Sequence, residues 1–156
     1  MILADPAALH TAVPAGMRLM GLDVGTKTIG LALSDTRRVI ASPLETIRRR
    51  RFRDDMAHLT ALIDHHCVGG LVIGLPLTLA GGDGPRTQSV RQFARNVMVA
   101  RDLPMVLWDE RLSTAAVERE MIAADMTRKR RGEIVDRVAA AYILQGFLDF
   151  LAHAAH

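Results

Sequence analysis

The sequence has little of several features on which other classes of protein depend. It contains one cysteine, Cys67, so no disulfide within the chain can stabilise the fold, which suits a reducing compartment. No apolar run reaches the length of a membrane span, and residues 1–16 carry Asp5 where a signal peptide would carry positive charge. Aromatic residues are 4% of the chain, which disfavours binding of nucleic acid by base stacking. We therefore expect a cytoplasmic protein with no membrane partner, in which residues 1–16 are a loose extension.

The length and composition predict one soluble globular domain, residues 17–152. The chain has 156 residues, of which 49% are hydrophobic and 24% charged, enough for a single core and too few for two lobes. The net charge is +3, and basic residues cluster at 48–53 and at 128–131. Such clusters favour contact with the phosphates of a nucleic acid, with a solvated loop as the alternative for each.

Residues 17–35 predict a β-hairpin that carries a carboxylate on its first strand. Two apolar runs flank a Gly25-Thr26-Lys27 turn, and Asp23 interrupts the first of them. An ionised acid among strand-forming apolar residues is costly unless a positive group meets it. Asp23 is therefore the first candidate for a metal ligand.

The rest of the pattern predicts an α/β domain. Residues 39–43 resemble a third strand, stopped by Pro43 and suited to a sheet edge, and glycines 69 and 70 end a helix that begins at Phe52. Buried strands are predicted at 71–75 and 104–108, helices from Pro85, from 113 to about 124 and over 134–151, and a basic turn at 128–131. Together these elements predict a five-stranded mixed sheet, an antiparallel three-strand meander plus parallel strands, flanked by helices.

Three acids occupy places unusual for a charge that faces solvent. Asp23 interrupts a strand, Glu110 closes the last strand, and Asp136 shares a helix face with small alanines. Active sites in such sheets gather near strand ends, so Asp23 and Glu110 are expected to meet there. Carboxylate oxygens suit Mg²⁺ or Mn²⁺, and two such ions can activate a water and stabilise the leaving oxygen of a phosphodiester. For any one acid alone, a structural carboxylate is the alternative.

Four motifs closely resemble the YqgF family, also called RuvX, over residues 17 to about 151. They are Gly21-Leu22-Asp23-Val24-Gly25-Thr26-Lys27 with Ile29-Gly30, Val72-Ile73-Gly74-Leu75-Pro76-Leu77, Asp109-Glu110-Arg111-Leu112-Ser113-Thr114, and Val135-Asp136 with Ala139-Ala140. The resemblance implies an RNase H-like fold and a metal-dependent nuclease centre with Asp23, Glu110 and Asp136 as ligands. It also implies nucleic-acid contacts by Lys27, Arg111, Arg128, Lys129, Arg130 and Arg131. One departure is Thr78, where the family usually has Asn, which affects the positioning of that loop.

The resemblance implies two substrates, and other classes of function compete with both. The substrates are the precursor of 16S ribosomal RNA, met free or in ribosomal precursor particles, and branched DNA at Holliday junctions. A sugar-kinase-like ATPase also begins with Asp-x-Gly-Thr, but it needs two such domains around its nucleotide. A non-catalytic RNA- or ribosome-binding module is the remaining alternative, against which the presence of all three acids argues. Either a monomer or a homodimer is compatible with the sequence.

Overall fold

The computed structural model describes residues 1–78, 80–112 and 128–154. Its strands are β1 (Arg18–Val24), β2 (Thr28–Ser34), β3 (Ala41–Arg48), β4 (Val68–Leu75) and β5 (Met105–Asp109). The helices in these ranges are α1 (Ala8–Ala12), α2 (Phe52–His65), α3 (Pro85–Ala100) and α4 (Arg128–Ala154), and a 3-10 turn, Glu110–Leu112, follows β5.

The strands form one mixed sheet in the order β3-β2-β1-β4-β5. β1 pairs antiparallel with β2, and β2 with β3, whereas β1–β4 and β4–β5 are parallel. The predicted five-stranded sheet, a meander extended by parallel strands, is confirmed. Because of these directions, β1, β3, β4 and β5 all end on one side, which we call the C-terminal end of the sheet.

Each face of the sheet covers a separate hydrophobic core. One core joins residues such as Leu22 and Ile73 of the strands to Leu59 of α2 and Phe93 of α3. The other joins Leu19 and Trp108 to Ile143 and Phe147 of α4. Side chains alternate between faces along a strand, so Gly21 and Asp23 share the α4 face with Leu19. The position of Asp23 in the chain therefore directs its carboxylate towards α4.

Residues 1–16 differ from the loose extension that we expected. Leu9 is fully buried and Val13 is 3% exposed, both in the core beneath α4, and Ile2 forms a parallel bridge with Met105 beside β5. The guanidinium of Arg38 donates to the carbonyl oxygens of His10, Val13, Pro14 and Met17. Burial of this group lowers the pKa of Arg38. The segment is thus held in place by its buried apolar side chains and by the hydrogen bonds that its carbonyl oxygens accept from Arg38. Neither interaction produces a periodic pattern in so short a segment.

The two glycines that we expected to end α2 lie in β4 instead. A Cβ on Gly69 or Gly70 would come within 2.7 Å of a methyl group of Val13. These glycines therefore make room for the N-terminal segment. The helix ends at His65, and the turn that follows uses Cys67 with a φ of 55°.

The third strand is longer than predicted. It runs over Ala41–Arg48 and contains Pro43, which we expected to stop it. The pairing shifts at this point, because Ala32 faces Pro43 while Leu31 faces Glu45, so an extra residue accommodates the proline. Its position at the edge of the sheet is confirmed, and a bulged edge strand is where proline is tolerated.

The last helix also begins earlier than predicted. Residues 128–131, which we expected to form a turn, are the first turn of α4. Lys and Arg are good helix formers, so a basic run can extend a helix as well as interrupt it. The helix predicted from 113 to about 124 lies outside the described residues. Within the described ranges, none of the helices combines the length and apolar character needed to cross a bilayer.

Candidate active site

Asp23 lies at the C-terminal end of the central strand, between two glycines. Its side chain is 8% exposed. Asp23 pairs with Gly30 of β2. On the β4 side the last pair is Leu22 with Ile73, so the next residue of β4, Gly74, lies beside Asp23. A carboxylate held this deeply in a sheet costs desolvation energy unless cations or donors offset it. Its neighbours at this end of the sheet therefore decide what it can do.

The two flanking glycines make room for the other two acids. A Cβ on Gly30 would lie 2.0 Å from the backbone carbonyl oxygen of Asp136, and one on Gly74 would lie 2.8 Å from Oε1 of Glu110. Side chains in register on adjacent strands point to the same face, which here is the α4 face. Asp136 is thus next to one neighbour of Asp23, and Glu110 is next to the other. The structure places the three predicted acids around one strand end.

Asp136 is oriented by a residue that our sequence reasoning did not single out. The hydroxyl of Thr28, the first residue of β2, donates a hydrogen bond to Oδ2 of Asp136. Thr28 is two residues from Gly30 and therefore shares its face of the sheet. In the sequence, the only sign of this role is a hydroxyl residue directly after the Gly-Thr-Lys turn. Its partner can be predicted only when α4 is known to pack over that turn.

Glu110 and Arg111 begin the 3-10 turn after β5. The guanidinium of Arg111 binds the Asp109 carboxylate, with Nη2 and Oδ2 2.7 Å apart, and its Nη1 approaches the carbonyl oxygen of Thr78 at 3.4 Å. The hydrogen bond from Arg111 lowers the pKa of Asp109, and the same bond raises the pKa of Arg111. The predicted nucleic-acid contact of Arg111 remains a prediction. The contact that the structure describes ties β5 to the loop after β4.

Thr78, the residue that departs from the family motif, has a definite part in that loop. Its Oγ1 accepts a hydrogen bond from the backbone N–H of Gly82 at 3.0 Å, and its own N–H donates to the carbonyl of Gly82 at the same distance. Both ends of the loop are thereby held together. The threonine hydroxyl accepts this hydrogen bond. The N–H donors that an asparagine amide would add are not needed for it.

The three acids supply the right donor atoms for a divalent cation. Carboxylate oxygens are hard ligands of the kind that Mg²⁺ and Mn²⁺ take. Among the residues that the structure describes, however, no group of three His, Cys, Asp or Glu side chains is close enough to hold a metal ion. Mg²⁺ is commonly bound through one or two carboxylates, with water and substrate phosphate completing its shell. The donor set therefore fits such an ion, although it is not a closed cage of three protein ligands.

The predicted basic contacts lie at the same end of the sheet. Lys27 is exposed in the β1–β2 turn. Residues 128–131 form the first turn of α4, two turns or about 12 Å before Asp136 along the helix axis. The helices α2 and α3 also begin at this end, so the positive ends of their dipoles face it. These basic residues and helix ends favour an anion at the rim around the three acids.

A family model and several named proteins are similar to this chain over most of its length. The family model described as "RuvX: Holliday junction resolvase" matches residues 17–150. A protein of Paramagnetospirillum magneticum named "Putative pre-16S rRNA nuclease" is 56% identical over 149 residues, covering 96% of both chains. One of the same name from Sphingopyxis alaskensis is 59% identical over 149 residues, covering 96% of this chain and 97% of its own.

Among solved structures, the chain is similar in fold to RuvC of Thermus thermophilus bound to a Holliday junction. The TM-score is 0.56 at 13% identity, over 88% of this chain and 96% of that one. At this identity the likeness concerns the fold alone, and it confirms the RNase H-like architecture that the motifs implied. The family match spans most of the sequence and includes all three acids and both glycines beside Asp23. The chain belongs to the RuvX family.

Proposed function

We propose that this protein is a metal-dependent nuclease that hydrolyses phosphodiester bonds at the C-terminal end of its sheet. The observation that supports this best is the placing of Glu110 and Asp136 beside the two glycines that flank Asp23. Three acids around one strand end concentrate negative charge, and this favours the binding of a cation there. In this proposal Asp23, Glu110 and Asp136 bind Mg²⁺ or Mn²⁺.

The residues of the chain divide the work of the reaction between them. When bound, divalent ions activate the attacking water and stabilise the leaving oxygen. Asp23 is fixed by the sheet, and Thr28 holds the carboxylate of Asp136 in one orientation. Lys27 of the turn and the basic residues that begin α4 hold the phosphate backbone against the acids, which would otherwise repel it. Positioning and electrostatics of this kind account for most of the catalysis in phosphoryl transfer.

We propose the precursor of 16S ribosomal RNA as the substrate. Relatives more than half identical over nearly the whole chain carry that name, whereas the structural likeness to a junction-bound resolvase is at 13% identity. Resolution of Holliday junctions is the second candidate, favoured by the description of the matching family model. Cutting a four-way junction symmetrically needs two active sites in one assembly, whereas trimming RNA does not.

The first test compares the two substrates directly. Purified protein is incubated with precursor 16S RNA and with a synthetic four-way DNA junction, each in the presence of Mg²⁺, Mn²⁺ or EDTA. The mass of the protein in solution is measured separately by light scattering. We expect metal-dependent shortening of the RNA and no paired nicks in the junction. Symmetric nicking by a dimer would replace the RNA proposal with the junction proposal. Binding of RNA that EDTA leaves unchanged, with no cleavage of either substrate, would identify a non-catalytic module.

A second test asks whether the acids act as one unit. We expect Glu110→Gln and Asp136→Asn each to remove most of the activity. The cleavage rate of the double variant should be no more than about tenfold below that of the less active single variant. The reason is that a metal site lacking one ligand retains little function for a second substitution to remove. Single-turnover rates of the four proteins provide the measurement. Losses that multiply across the double variant would mean that the two acids act independently.

A further inference from the structure

The β1–β2 turn is held from the side of α3 by two guanidinium groups. Nη2 of Arg86, in the first turn of α3, donates to the carbonyl oxygen of Val24 at 2.7 Å. Nη1 of Arg49, directly after β3, donates to the carbonyl oxygen of Gly25 at 2.7 Å. These carbonyls belong to the two residues that follow Asp23. Two positive charges from separate elements therefore meet at the turn beside the candidate active site.

Neither guanidinium is neutralised by its contact with the turn. Within the described part of the chain, no carboxylate forms an ion pair with Arg49 or Arg86, and each side chain donates one hydrogen bond. A guanidinium has five N–H donors, so most of those on each group remain available. Arg86 is exposed and Arg49 is half-buried, so both can be reached from solvent.

The orientation of Arg49 is fixed by more than its hydrogen bond. Its guanidinium carbon lies 5.4 Å from the ring centroid of Phe93, a residue of α3 that is 4% exposed. The backbone N–H of Arg49 also donates to the carbonyl of Lys27 at 2.9 Å. The guanidinium of Arg49 is thus held over an aromatic ring, and its backbone is hydrogen-bonded. The side chain therefore loses little further conformational entropy when an anion binds. Such preorganisation distinguishes it from a solvated surface arginine.

Other arginines of the described chain show the contrast. Arg91, Arg101 and Arg111 bind carboxylates, which neutralise their charge. Arg38 is buried and donates to four backbone carbonyls, so it has a structural task. Arg49 and Arg86 combine a fixed position, an unneutralised charge and accessibility, and they do so beside the exposed Lys27.

We propose that Arg49, Arg86 and Lys27 form a phosphate-binding subsite for the nucleic-acid substrate, on the side of the sheet opposite to α4. This inference rests on the proposed nuclease function. A backbone that crosses the C-terminal end of the sheet from α4 to α3 passes over the β1–β2 turn, and the phosphate next to the scissile one reaches these three cations. Arginine forks suit phosphate oxygens, and the fixed charges offset the repulsion from the three acids.

The experiment measures binding separately from cleavage. Arg49→Gln, Arg86→Gln and the double variant are titrated against a short fluorescein-labelled RNA in EDTA, at several salt concentrations. We expect the slope of log affinity against log salt to fall by about 0.7–0.9 for each lost phosphate contact and by about twice that in the double variant. Arg86→Lys should keep the wild-type slope because it retains the charge. With metal present, the variants should show a raised KM and a smaller change in kcat.

Arg95→Gln is the matched control. Arg95 is also an exposed arginine of α3, nine residues and about 14 Å along the helix from Arg86, and it bonds Gln92 rather than a carboxylate. The Arg95→Gln substitution removes the same charge, and it should leave the slope of log affinity against log salt unchanged. Equal loss of slope in Arg95→Gln and Arg86→Gln would overturn the subsite, since net charge alone would then explain binding.

The remaining outcomes separate the subsite from the function on which it rests. A lowered melting temperature with an unchanged salt slope would mean that the two arginines only support the turn, which overturns the subsite while wild-type cleavage upholds the nuclease. A reduced slope in a protein that cleaves neither RNA nor a junction would support the subsite and refute the nuclease.

Discussion

Replacing Asp23 with Asn is expected to abolish hydrolysis while the fold stays intact. The amide is nearly isosteric with the carboxylate, so the 8%-exposed site between the two glycines can hold it. It lacks the charge that binds a divalent ion, and we expect the cleavage rate to fall by at least about a hundredfold. The melting temperature should stay close to that of the wild type, because the amide keeps the shape of the carboxylate and one of its acceptor oxygens. RNA affinity in EDTA should also stay the same or rise, because the variant repels phosphate less.

The control for this variant is Asp54→Asn. Asp54 is an exposed acid in the first turn of α2, so the substitution removes the same charge on the face of the sheet opposite to α4. Its cleavage rate should match that of the wild type. If Asp23→Asn cuts at more than about a tenth of the wild-type rate, Asp23 does not belong to the metal site.

The sequence was sufficient for the elements whose signal is local. The hairpin of β1 and β2, the buried strand β4 and the helix that begins at Pro85 each carry a periodicity or a turn signal of their own, and all are confirmed. The place of Asp23 at a strand end followed from the same pattern. The family motifs then supplied the link to Glu110 and Asp136, which are 87 and 113 residues further along the chain.

Two of the wrong predictions have a common cause in long-range packing. The loose extension and the helix-ending glycines were one error, because Gly69 and Gly70 lack side chains in order to admit Val13 of that extension. A glycine pair that ends a helix and one that makes room for a distant side chain look the same in sequence. Arg49 was predicted only as part of the basic cluster at 48–53, and Arg86 was not singled out, because the sequence does not reveal which arginine contacts a distant turn.

Gly30→Ala is expected to have the largest effect on stability. The added Cβ would lie 2.0 Å from the carbonyl oxygen and 2.3 Å from the carbonyl carbon of Asp136. These atoms belong to the backbone of α4, and a helix packed against the sheet along its length cannot retreat as a flexible side chain can. We expect the free energy of unfolding to fall by about 2–4 kcal/mol, measured by urea denaturation.

The same substitution should separate the position of Asp136 from its chemistry. If α4 moves away from β2 to admit the methyl group, Asp136 moves with it and leaves the hydroxyl of Thr28, although all three acids of the proposed site remain present. Folded Gly30→Ala protein should therefore cleave at least about tenfold more slowly while binding RNA in EDTA like the wild type. Gly82→Ala is the control, because its Cβ would meet Thr78 Oγ1 at an ordinary 3.6 Å. A Gly30→Ala protein that unfolds and cleaves like the wild type would mean that the approach of α4 to Gly30 positions neither the helix nor Asp136.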